Sequence, residues 1–253
     1  MKNKPMRIAI TGKGGVGKTV ITALLAKYFS EETDYNILLI DADPTHPHLC
    51  NLVELEPSKS LERIRSELVK KASTSGENLG SIANKIDFEV YNTMGQDKRL
   101  NIFYIGQPEG PGCFCPSNLI LRRVLKSISS DFDIILVDCE AGLEQINRMV
   151  LHTVDIILIV CDLSLRSIYT AVSIMKKADK FTNYKKIGVI INKAKGNIDT
   201  LINKVRDLGL DIFGIIPEDH IISDYDLKGK PVINVEDFAQ SVKAIEKIAK
   251  NIL

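Results

Sequence analysis

The eight residues Gly12-Lys13-Gly14-Gly15-Val16-Gly17-Lys18-Thr19 constrain the chain more than any other stretch. They follow a short apolar run, Ile8-Ala9-Ile10-Thr11, and precede a helical pattern from Val20 to Phe29. Strand, glycine-rich turn and helix are the context that a phosphate-binding loop requires. The glycines let the backbone curl until successive N–H groups point at phosphate oxygens. The helix N-terminus adds its dipole to the same anion. Within the pattern G-x-x-x-x-G-K-T, the cradle is Gly12, Lys13, Gly14, Gly15, Val16 and Gly17. Lys18 reaches the outer phosphates, and the Thr19 hydroxyl holds Mg²⁺.

Further buried-type strands read as continuous apolar runs: Asn36 to Asp43 and Asp133 to Asp138, both ending in aspartate, Asp155 to Cys161, Lys186 to Ile191 and Leu210 to Ile216, stopped by Pro217. Strands covered on both faces have this composition. Helical patterns run from Ser58 to Lys71, from Leu119 to Ser129 behind a Ser117 or Asn118 cap, and from the Asp162–Ser167 cap to about Phe181. Ala72 to Lys85, rich in Ser, Gly and Asn, reads as a loop, and Ile102 to Ile105 as a strand. The last helix, Val235 to Leu253, carries Phe238, Val242, Ile245 and Ile248 at helical spacing, a core-facing stripe. The expected fold is α/β: a doubly wound, mostly parallel sheet with helices on both faces. Its 253 residues, 45% apolar, suit one domain over 1–253, with no repeat and no dividing linker.

Ligands in such sheets bind at the carboxyl ends of strands. That places Asp41, Asp43 and Asp138 beside the phosphate loop. Asp138 ends a Walker B element and would bind Mg²⁺ through water. Gly142, in the segment Cys139-Glu140-Ala141-Gly142, leaves an N–H free to sense the γ-phosphate. Asn192 offers an amide donor and acceptor for a base edge. His46 and His48 are open to two readings, metal ligands or solvated loop residues.

A second chemical signal is Gly110-Pro111-Gly112-Cys113-Phe114-Cys115-Pro116. Its prolines and glycines predict an exposed turn. In an extended chain both thiols point to one side. Two thiolates suit Ni²⁺, Zn²⁺ or Cu(I) but cannot close a tetrahedral site alone. The same loop of a second subunit could supply the other pair. The alternative is two packing cysteines. Five cysteines without an export signal argue for thiols or metal ligands over a disulfide framework. Lys+Arg 33 against Asp+Glu 32 argues against broad binding to nucleic acid or an anionic membrane. No apolar run approaches the roughly 20 residues of a membrane span, and a cytoplasmic location is expected.

Lys13, directly after the first glycine, narrows the class. KGGVGKT resembles the deviant phosphate loop of the family that includes MinD, ParA and the nitrogenase iron protein. The resemblance implies an ATPase with ATP/ADP and Mg²⁺ as cofactors, sandwiched in a homodimer. Lys13 and Lys18 would be catalytic, with Lys13 reaching the nucleotide of the other subunit. Asp43 would orient the attacking water, Asp41 would lie in the Mg²⁺ shell, and the Pro217-Glu218-Asp219 turn would close over adenine. The C-x-C loop, Asp138-Cys139-Glu140-Ala141-Gly142 and Val189-Ile190-Ile191-Asn192-Lys193 together resemble the CooC-type nickel-insertion ATPases that mature carbon monoxide dehydrogenase. That group implies Ni²⁺ or Zn²⁺ held by Cys113 and Cys115 of two subunits, and carbon monoxide dehydrogenase, or acetyl-CoA synthase, as client. Two rivals are a [4Fe–4S] reductase like the nitrogenase iron protein, with Cys113 and Cys139 as ligands, and a ParA/MinD-type positioning ATPase.

Overall fold

The computed structural model describes residues 4–44, 47–75, 79–107, 128–139 and 154–253. Eight strands form one sheet: β1 (Met6–Gly12), β2 (Ile37–Asp41), β3 (Gly95–Asp97), β4 (Leu100–Tyr104), β5 (Ile134–Asp138), β6 (Ile156–Cys161), β7 (Lys186–Ala194) and β8 (Ile212–Pro217). Their order is β3-β4-β2-β5-β1-β6-β7-β8. Every pairing is parallel except β3 with β4. β1 lies inside, between β5 and β6, so the sheet changes winding direction at the strand that feeds the phosphate loop. This is where open α/β sheets bind ligands.

Among the described residues the helices are α1 (Lys18–Glu32), α2 (Leu49–Val53), α3 (Leu61–Ser75), α4 (Leu79–Thr93), α5 (Leu165–Phe181), α6 (Asp199–Asp207), α7 (His220–Leu227) and α8 (Gln240–Ile252). They cover both faces. Ile8, Ile10, Leu39 and Leu136 pack with Leu25 and Phe29 of α1 and Ile245 and Ile248 of α8. On the other face Ala9, Leu38, Ile40 and Val137 pack with Ile64 of α3, Val90 of α4 and Ile168 of α5. Neighbouring strand residues thus serve opposite cores, which explains the uninterrupted apolar runs.

Two expectations need correction. The loop expected over Ala72–Lys85 is largely helical: α3 runs to Ser75 and α4 begins at Leu79. Ile86, Val90 and Met94, at helical spacing, are buried in the core and anchor α4. Tertiary packing overrides the weak propensity of Ser, Asn and Gly. The last helix begins at Gln240, not Val235, and Phe238 lies outside it, 66% exposed. Its start is fixed by Asp219, whose carboxylate accepts hydrogen bonds from Ser241 N and Oγ, both at 2.9 Å. Val242 is half-buried and Ile245 and Ile248 are buried, so the stripe is a core face. Among the described residues no helix is long and apolar enough to cross a membrane.

Candidate nucleotide site

The loop between β1 and α1 is seated on its neighbours. Gly12 has φ +146° and pairs with Val160 of β6; a Cβ there would fall 2.2 Å from the Val160 carbonyl oxygen. Gly17, at φ +94°, caps α1, and a Cβ there would fall 2.6 Å from Asn192 Nδ2. Both positions therefore require glycine. Asn192 Nδ2 donates to the Val16 carbonyl oxygen at 2.8 Å and is buried. β7 thereby holds the far side of the loop.

The two lysines of the loop are placed differently. Lys18 Nζ donates to the Lys13 carbonyl oxygen at 3.2 Å, on the inner side of the loop. The Lys13 side chain is 40% exposed, and its ammonium lies 3.9 Å from Asp162 Oδ2, just past β6. Asp162 Oδ1 accepts from Ser164 N at 2.9 Å, and Ser164 Oγ accepts from Ser167 N at 3.2 Å as the N-cap of α5. The Asp162–Ser167 cap was legible in the sequence. That the same aspartate meets Lys13 was not, since the pairing spans most of the chain.

Asp41 and Asp138 end adjacent strands and are register partners. Both are buried. Asp41 Oδ1 accepts from Asp43 N at 3.0 Å and Oδ2 from Leu49 N at 2.9 Å. Burial still pushes its carboxyl up to about 6. Asp138 hydrogen-bonds with Thr19, and the Thr22 hydroxyl lies 3.5 Å from its Oδ1. Burial, then the charge of Asp41, raises the Asp138 carboxyl to about 7, against the pull of Thr19 and Lys18. A buried carboxylate pair short of positive charge is a good seat for a divalent cation. Among the described residues no cluster of three or more His, Cys, Asp and Glu side chains is arranged to hold a metal. Mg²⁺ needs no such cage: one or two carboxylates with substrate phosphates suffice. The donor set therefore fits a magnesium nucleotide, with Thr19 and Asp138 as the residues to hold the ion. Asp43 is half-buried, two residues beyond Asp41.

Next to the loop is a cavity of about 170 Å³ lined by Gly17, Val20, Asn192, Pro217, Ser223 and Asp226. Asn192 and Pro217, the residues expected beside the base, thus border one cavity. Sequence reasoning missed two parts of its wall. Lys193 holds φ +55° beside a register shift in β7, and α7 starts from an Asp219 cap whose Oδ1 accepts from Ile221 N at 3.0 Å. The Asp219-x-Ile221 cap was available as a local signal.

The other cysteines with described positions pack inward. Cys139 and Cys161 are buried in one core, and Cys50 is half-buried. Burial pushes the Cys50 thiol up to about 12 and raises that of Cys139 as well. Cys139 is thus a packing residue of the core, which weakens the Cys113/Cys139 cluster reading. His48 is exposed. Cys113, Cys115, Gly142, Glu140, His46 and nearly all of the helix expected over 119–129 lie outside the described residues.

A lysine-bearing phosphate loop at the switch point of a doubly wound sheet, with two acidic strand ends beside it, defines a P-loop ATPase. A family model described as CbiA, the CobQ/CobB/MinD/ParA nucleotide binding domain, matches residues 8–232, and the chain belongs to this family. It is 35% identical to an ATP-binding protein of Methanocaldococcus jannaschii, with 98% of each chain covered. It is 30% identical to the carbon monoxide dehydrogenase accessory protein CooC of Rhodospirillum rubrum, with 88% of each covered. The fold matches a ParA family ATPase from Chlorobium tepidum with a TM-score of 0.71 at 23% identity, over 98% of this chain and 99% of that one.

Proposed function

We propose that the chain is a metal-delivery ATPase working as a nucleotide-sandwich homodimer. Hydrolysis of ATP is coupled to release of nickel, the cargo, to a client of the carbon monoxide dehydrogenase or acetyl-CoA synthase type. The observation that carries the ATPase half is the division between the two loop lysines. Lys18 faces the inner loop, where the phosphates of its own chain belong. Lys13 stands half-exposed on the outer lip, where a second subunit could use it. The delivery half is supported by the likeness to CooC and by Cys113 and Cys115. Zn²⁺ would fit the same thiolates.

In this reading the loop N–H groups and Lys18 take the charge of the β- and γ-phosphates. Mg²⁺, held by Thr19 and Asp138, supplies further charge neutralisation when bound. Asp43 orients a water that attacks the γ-phosphorus as the bond to the ADP oxygen breaks. Lys13 of the second copy stabilises the charge that moves onto that oxygen.

The test combines molar mass and metal content in one run. Anaerobically purified protein is loaded with Ni²⁺ or Zn²⁺ and separated by size with light scattering and elemental analysis, beside Cys113→Ala/Cys115→Ala. One metal per dimer, absent from the double variant, is expected. Metal bound equally by both proteins, or by neither, defeats the delivery reading and leaves a P-loop ATPase. In the same preparations Lys13→Ala should lose turnover by roughly 10²-fold or more while single-chain nucleotide affinity holds; undiminished turnover would remove the shared site.

A further inference from the structure

The sheet ends in an open edge. β8 pairs with β7 on one side, and among the described residues no strand pairs with the other. An edge strand turns a row of N–H and C=O groups outward, a template for another chain. α8 lies lengthwise along β8 and runs opposite to it. Near its start Ser241 bonds to Asp219, just past the end of the strand. Further along, Ile248 packs against Gly214, where a Cβ would fall 2.2 Å from Ile248 Cγ1. Beside this pair runs a groove of about 440 Å³, lined by Phe213, Ile215 and Pro217 of the strand and by Lys243, Lys247 and Asn251 of the helix. Ile215 is 38% exposed. Lys243 and Lys247 are exposed, and among the described residues neither is ion-paired. Their neighbours Glu246 and Lys250 satisfy each other at 2.6 Å.

We infer that β8 and this groove bind an extended segment of a partner protein that carries aspartate or glutamate at alternate positions, added to the sheet as a further strand. The spacing supports the match. Four residues on a helix advance about 6 Å. Alternate residues on a strand are about 6.6 Å apart. Lys243 and Lys247 can therefore meet two acidic side chains on one face of an added strand. Main-chain hydrogen bonds to β8 give such a complex its affinity, and the charges choose the partner. Two strands, β6 and β7, separate β8 from β1, so occupation of the edge leaves the phosphate loop open.

The probe is a fluorescein-labelled decapeptide alternating valine and aspartate, titrated against the whole chain by fluorescence polarisation. Saturable, salt-sensitive binding is expected, with added hydrogen-exchange protection over residues 212–216. Lys243→Glu/Lys247→Glu should weaken it at least about tenfold while ATP turnover is unchanged. Lys243→Ala/Lys247→Ala is the second variant if charge reversal disturbs folding. N-methylation of alternate peptide amides should weaken binding to a similar degree. No saturable binding, equal binding by the lysine variants, equal binding of the N-methylated peptide, or equal binding of a valine–lysine peptide would each overturn the proposal. A DNA oligonucleotide that binds through the two lysines and is not displaced by the peptide would overturn it too.

Discussion

Asp138 and Asp219 are both buried at the carboxyl ends of strands, 3% and 8% exposed, yet their environments pull them in opposite directions. Burial raises both. At Asp138 it prevails, because Asp41 and Asp43 add like charge against the pull of Thr19 and Lys18. At Asp219 it is outweighed by Ser241 N and Oγ and Ile221 N, and the carboxyl is held below its usual range. Asp219 is satisfied by the protein itself: it caps α7 and ties α8 to the end of β8. Asp138 is left short of positive charge in the place where a cation would supply it. A buried carboxylate marks a ligand site when the protein withholds its partners, and a structural joint when it provides them.

The largest expected effect breaks the first half of this contrast. Asp138→Asn should lower magnesium-dependent ATP hydrolysis by roughly 10²-fold or more and yet raise the melting temperature of the nucleotide-free protein. The sign follows from the raised value. The contribution of Asp138 to folding is fully present below its unfolded value of 3.8 and is lost as pH rises through about 7. The gain in Tm of Asp138→Asn should therefore grow between pH 5 and pH 8, which differential scanning fluorimetry can follow. A Tm below that of the parent at pH 8 would contradict the strained-carboxylate account.

Asp219→Ala should do the reverse. Loss of the cap and of the bonds to Ser241 should cost roughly 2–3 kcal/mol, about 5–10 °C in Tm. Here stability is present above the unfolded value of 3.8 and is lost as pH falls through the depressed folded value. Urea titrations at pH 7 and pH 3 should show the variant's deficit shrinking in acid. The smallest effect belongs to Asn192→Ala, which releases the Val16 carbonyl. About 1–2 kcal/mol of stability and a severalfold rise in KM for ATP are expected, with kcat little changed. An unchanged KM would mean that the loop keeps its shape without β7.

The central strands were legible because burial on both faces leaves a mark in composition. The runs Asp133–Asp138 and Asp155–Cys161 differ from β5 and β6 by one residue at the start. The phosphate loop and the places of Asp41 and Asp138 were legible from motif and sheet geometry. What the sequence concealed was carried by contacts distant along the chain. Asn192 meets Val16 across 176 positions, and Asp219 reaches Ser241 across 22. Neither pairing follows from local propensity, so the start of α8 was misplaced and Phe238 was assigned to its apolar stripe. Short α2 and α7, with little apolar periodicity of their own, were missed for a similar reason; α6 was missed although Leu201, Ile202 and Val205 stand at helical spacing and pack on the core.

The seating of the phosphate loop has a mechanical consequence. Gly12 is laced to β6, Val16 is tethered to β7, and Cys139 N, just past β5, donates to the Ile10 carbonyl oxygen at 3.0 Å. Held from β6 and β7, on a strand that is itself bonded to the residue past β5, the loop is the fixed part of the site. A seat braced in this way keeps the phosphate geometry constant from one nucleotide to the next, as a vice holds its workpiece.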